Sequence, residues 1–96
     1  MDSKSLLEGS KLWVVEARIQ LKSSLKDPEG ETILRDLLHK RGVSGVEEVR
    51  TAKLLRFKVR SHSREDAESL IRKVCDELRL YNPVSHTCSV RVGEEV

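Results

Sequence analysis

Aromatic side chains are nearly missing from this sequence, which has one Trp, one Tyr and one Phe in 96 residues. A chain this short with so little ring bulk builds one domain around a shallow core, and self-association would add buried area. Cysteine is scarce too. Cys75 and Cys88 form no CxxC pair and have no local His-rich cluster, so they read as reduced, buried thiols of a cytoplasmic protein, not as a disulfide or a metal pair. No apolar run approaches the roughly 20 residues needed to span a bilayer. Met1 to Lys11 has neither the apolar stretch nor the cleavage pattern of a secretion signal. An excess of one charge is also lacking: 18 Lys and Arg stand against 16 Asp and Glu. No global field therefore argues for nucleic acid or an anionic membrane, and the charges read as a solvated surface.

What the chain does have is pattern. Ser63 to Leu80 carries the clearest helical period, with Ala67, Leu70, Ile71, Val74, Cys75 and Leu78 on one side and Arg64, Glu68, Arg72, Lys73, Asp76 and Arg79 mainly on the other. Ser63 is placed to cap the first turn, Glu65 and Asp66 suit the positive end of the dipole, and Asn82-Pro83 closes the far end. Such a stripe needs a sheet beneath it. Leu12 to Lys22 alternates as a first strand, with Trp13, Val15, Ala17, Ile19 and Leu21 on one face. Asp27-Pro28-Glu29-Gly30 leads into a helix expected from Pro28 to Arg41, in which Asp27 caps, Pro28 suits the first position and Gly42 supplies a left-handed stop. Val46 to Arg60 reads as two strands, Val46 to Arg50 and Lys53 to Arg60, turning near Thr51-Ala52. Val84 to Val92 alternates once more, and Gly93 to Val96 reads as a fraying acidic tail.

The order β-α-β-β-α-β predicts an α+β fold of ferredoxin-like form, a four-stranded antiparallel sheet with two helices on one face. Residues 1–11 read as an N-terminal extension and residues 12–96 as a single domain. The other sheet face is left bare, and its expected occupants include Arg18, Lys22, Arg56, Lys58, Arg60 and Arg91. No catalytic constellation stands out. His39, His62 and His86 are scattered, there is no GxGxxG, Walker A, GxSxG or HExxH, and His86 with Cys88 offers two metal ligands at most. No catalytic, cofactor-binding or metal residue is therefore expected. RNA-recognition modules share this architecture but stack bases on exposed rings. Phe57 shares a face with Leu55 and Val59, so the opposite face offers cations without rings and nucleic acid is not the expected partner. A basic face of this kind meets water, an acidic protein or a phosphate.

The run SLKDPEGETI, the segment VEEVRTAKLLRFKV and the stretch VCDELRLYNPV resemble the PurS subunit family of phosphoribosylformylglycinamidine synthase from about Leu12 to Gly93. The carriers are Asp27, Pro28 and Gly30 before the first helix, Val49-Arg50 followed by Lys53, and Cys75, Leu78, Asn82 and Pro83 around the end of the second helix. Ala52 and Arg56 depart from the Gly and the acidic residue common there. The resemblance implies a non-catalytic accessory subunit of an ATP-dependent, glutamine-hydrolysing ligase complex of purine biosynthesis. It would bridge the glutaminase subunit, PurQ, and the synthetase subunit, PurL, and help ammonia pass between them. It also implies self-association as a dimer or tetramer, with ATP and Mg used by the complex and no cofactor held by this chain. Arg18, Arg50, Lys53, Arg56, Lys58 and Arg60 are the candidate interface residues, and Asp27, Pro28, Gly30, Asn82 and Pro83 the structural motif positions. The alternatives are a stand-alone ferredoxin-like regulatory or nucleic-acid-binding domain and, third, an acylphosphatase, for which Ser23-Ser24-Leu25-Lys26 lacks the Gly-rich, Arg-bearing loop.

Overall fold

The computed structural model describes residues 8–95. Three strands, β1 (Lys11–Leu21), β2 (Ala52–Ser61) and β3 (His86–Glu95), form one antiparallel sheet in the order β2-β1-β3. The period-2 alternation of β1 sets its two faces, and the register carries them across the sheet: Val15 pairs with Phe57 and Val92, Ala17 with Leu55 and Val90, and Ile19 with Lys53 and Cys88. On this face lies the core, in which Val15, Ala17, Val59 and Val92 are buried beneath Ala67, Ile71 and Cys75. Trp13 packs at its margin and donates its indole N–H to the Ser61 carbonyl at 3.0 Å.

The helix over this face, α2 (Arg64–Glu77), follows β2 and packs on all three strands. Its start is as expected, with the Ser63 hydroxyl accepting the Asp66 N–H at 3.1 Å. Its end comes earlier than the Asn82-Pro83 pair. Arg79 turns left-handed at φ 53, and the Leu80 N–H reaches back to the Cys75 carbonyl at 3.1 Å, a Schellman closure. The apolar stripe is wider than the sheet covers. Ala67, Ile71 and Cys75 are buried, whereas Leu70 and Leu78 are 47% and 68% exposed.

The other helix, α1, starts as an α-helical turn (Pro28–Thr32) and continues as a π-helical stretch (Ile33–His39). Gly42, at φ 81, supplies the expected stop, with the Val43 N–H on the Leu38 carbonyl at 2.9 Å. Two expectations fail here. No fourth strand forms over Val46–Arg50, and α1 does not share the sheet face with α2, because it has no strand contact of comparable extent. The reason is local. Residues 43–51 run back along α1 as a strap, with His39 Nε2 3.2 Å from the Val46 carbonyl. Gly30 lies so close beneath Val49 that a Cβ there would stand 2.8 Å from the Val49 carbonyl carbon. The Thr51 N–H is taken by Asp27 and not by a neighbouring strand. The molecule is accordingly elongated, 60 × 28 × 16 Å with a radius of gyration of 18.1 Å. A compact chain of this length would have about 12 Å. The backbone of β3 also continues to Glu95, past the expected limit at Val92. Most of the expected 1–11 extension lies outside the described residues.

Candidate functional site

The side of the sheet away from α2 is built by the even-numbered positions of β1 and their partners. Across it run Arg60 opposite Leu12, Lys58 opposite Val14, Arg56 and Arg91 on either side of Glu16, and Leu54 and Ser89 on either side of Arg18. Five cations thus meet a single carboxylate among the described residues. Glu16, in the central strand with an 18% exposed side chain, accepts from Arg56 at 3.1 Å and from Arg91 at 3.4 Å. The Arg56 and Arg91 side chains remain 65% and 81% exposed, and a guanidinium has more N–H donors than Glu16 takes up. Arg18, Lys58 and Arg60 are exposed, as is Leu54. Glu16 shares the strand parity of Arg18, and it is the register that sets it between Arg56 and Arg91.

Four of the six candidate interface residues, Arg18, Arg56, Lys58 and Arg60, therefore stand together. The structure places the other two elsewhere. Lys53 is on the opposite face, across from Ile19. Arg50 is half-buried and donates to the carbonyls of Leu25 at 2.7 Å and Lys22 at 3.1 Å, tying the loop after β1 to the strap.

The motif residues Asp27, Pro28 and Gly30 form a clamp. Buried Asp27 accepts the Gly30 N–H at 3.1 Å, the Thr51 N–H at 2.6 Å and the Thr51 hydroxyl at 2.8 Å, joining the head of α1 to the foot of β2. The two bonds from Thr51 and the one from Gly30 favour the carboxylate and hold its pKa at about 2. Asn82 shapes the turn into β3, its Oδ1 taking the Val84 N–H at 3.0 Å and its carbonyl the His86 N–H at 2.8 Å, and Pro83 is exposed within that turn.

On the α2 side, where α1 was expected to pack beside α2, lies an open groove of about 840 Å³ lined by Ile19, Leu21, Lys53, Leu80, Tyr81 and His86 among others. Cys75 is buried on α2 and packs toward Cys88 on β3; burial, with Cys88 adding to it, pushes the Cys75 thiol up to about 11, and both thiols are free. Among the described residues no group of three or more His, Cys, Asp or Glu side chains is placed to hold a metal. No helix among them is long and apolar enough to cross a membrane.

A small α+β unit with an ordered basic face, and with its site-like residues spent on holding loops, is an interaction module. The comparisons name the kind. Residues 14–94 match the family model of PurS, phosphoribosylformylglycinamidine (FGAM) synthase. The PurS subunit of Archaeoglobus fulgidus is 38% identical over 77 residues, which is 80% of this chain and 94% of that protein. The crystal structure of the Thermotoga maritima purS subunit superposes with a TM-score of 0.77 at 33% identity, covering 88% of this chain and 94% of that one. A chain of the PurLQS structure from Thermotoga maritima gives 0.75 at 34% identity, covering 85% and 98%. The chain belongs to the PurS family of FGAM synthase.

Proposed function

We propose that this chain is the small accessory subunit that bridges a glutaminase subunit, PurQ, and an ATP- and Mg-using synthetase subunit, PurL, and assists the transfer of ammonia between them in cytoplasmic purine biosynthesis. The observation that carries the reading is the likeness to a chain of the PurLQS assembly over 85% of this sequence. The elongated shape, long enough to touch two bodies at once, supports it. In the reaction of such a complex, formylglycinamide ribonucleotide, glutamine, ATP and water give formylglycinamidine ribonucleotide, glutamate, ADP and phosphate. The chain contributes surface and no acid, base or nucleophile.

Self-association, as a dimer or tetramer, belongs to the same reading. Leu25, Leu37 and Val43 on and around α1 are 40%, 50% and 42% exposed, and the groove beside α2 is open. A ferredoxin-like layer of four strands and two helices would then be completed between copies, with the strap over Val46–Arg50 and the open sheet edges as its pieces. The expected N-terminal extension then stops short of Lys11, which opens β1 of the single domain. Sedimentation of the chain with purified PurQ- and PurL-type subunits tests the assembly. One species containing all three proteins is expected; a chain that sediments alone contradicts the reading.

A further inference from the structure

We infer that the sheet face opposite α2 docks an acidic protein surface supplied by another subunit of the synthase, a proposal that rests on the assembly role above. The charge is segregated. Arg18, Arg56, Lys58, Arg60 and Arg91 gather on this face around one carboxylate, Glu16. The five cations and one carboxylate of this face sum to more positive charge than the +2 of the whole chain. A cluster of this kind steers a partner of opposite sign and suppresses wrong ones.

The face is also pre-organised. Glu16 stands directly opposite both Arg56 and Arg91 and pins them, so two guanidinium forks are held in place before a partner arrives and less side-chain freedom is lost on binding. Arg18, Lys58 and Arg60 have no ion-pair partner among the described residues and flank that centre. Leu54, 52% exposed, lies beside Arg18. Half-buried Leu12 and Val14 lie beside Arg60 and Lys58. Cations interleaved with aliphatic groups suit a protein surface that brings carboxylates and apolar contacts together. A nucleic acid would use the cations but find no aromatic ring among the described residues of this face to stack a base. A second copy packed face to face would set like charges against each other.

The test is charge reversal at the three unpaired cations, Arg18→Glu, Lys58→Glu and Arg60→Glu combined, with the neutral Arg18→Gln, Lys58→Gln, Arg60→Gln set as the variant least disturbing to folding. Lys73→Glu, exposed on α2, is the control. Calorimetric titration of each full-length variant into the purified PurL-type and PurQ-type subunits across a salt series should show affinity for one of them falling about tenfold or more, with a flatter salt dependence. The Gln set should fall less, and Lys73→Glu should match the wild type. Native affinity in the reversed chain, while the wild-type complex still forms, overturns the docking face and leaves the assembly role standing. Failure of the wild type to bind either subunit removes both. Loss of self-association with subunit affinity intact would make the occupant a second copy, and tight binding of a single-stranded RNA probe that charge reversal abolishes would make it nucleic acid; either result overturns the proposal.

Discussion

The two helices of this protein carry similar apolar spacing and end alike, in Schellman closures, yet they are held by different forces. α2 is held by burial: Ala67, Ile71 and Cys75 press on Val15, Ala17, Val59 and Val92. α1 is held by directed bonds at its root, through Asp27 to Gly30 and Thr51 and through Arg50 to the loop carbonyls, while Leu37 beyond that root is 50% exposed. Apolar periodicity alone therefore does not say which layer a helix joins. A buried carboxylate at the helix head ties down the returning chain, which runs along α1 and not in the sheet. The stops differ as well: Gly42 takes the left-handed position at no steric cost, and Arg79 takes it against the preference of a side-chain-bearing residue.

That contrast can be broken from either side. Ile71→Ala, which empties a core position only 4% exposed, should lower unfolding free energy by about 2–5 kcal/mol in urea titration. Gly30→Ala should cost about 1–3 kcal/mol, because the new methyl meets the backbone of Val49 and Arg50, which has no flexible end to give way. The change should also loosen the strap, with faster amide exchange at Thr51. Asp27→Asn weakens the clamp and should lower Tm by several degrees at neutral pH. The folded carboxyl sits at about 2 against an ordinary 3.8, so its stabilisation is complete well above pH 4 and fades as pH falls through that interval toward 2. The Tm gap between the wild type and Asp27→Asn should narrow over the same range, and a gap constant with pH would contradict an ionised clamp. Leu70→Ala is the smallest effect. At 47% exposure, its cost in the isolated chain should stay below about 1 kcal/mol, although the helical period alone placed Leu70 beside Ile71 in the core.

Much of the fold is legible in the sequence where one signal acts alone. The alternation from Leu12 to Leu21 predicts β1, and Ser63 with its acidic first turn predicts the start of α2. Legibility ends where a distant side chain competes for the backbone. Val46 to Arg50 has strand-like spacing, but contacts distant in sequence hold the segment along α1, with Asp27 fixing Thr51 at its end and His39 beside the Val46 carbonyl. The same competition explains Arg50. A basic residue in an alternating segment reads as surface, and nothing nearby in the sequence reports that its donors reach the carbonyls of Lys22 and Leu25. The basic face is the reverse case. Arg18, Arg56, Lys58 and Arg60 share a strand parity that sequence shows, while Glu16 becomes their organiser only through the register that sets it between Arg56 and Arg91.

If this subunit works by holding others together, its effect is read from formylglycinamidine ribonucleotide formation by the purified PurL- and PurQ-type subunits, with and without this chain, using glutamine or free ammonia as the nitrogen source. Leaving the chain out should abolish the glutamine-driven rate and spare the ammonia-driven one. Equal glutamine-driven rates with and without it would contradict the claim.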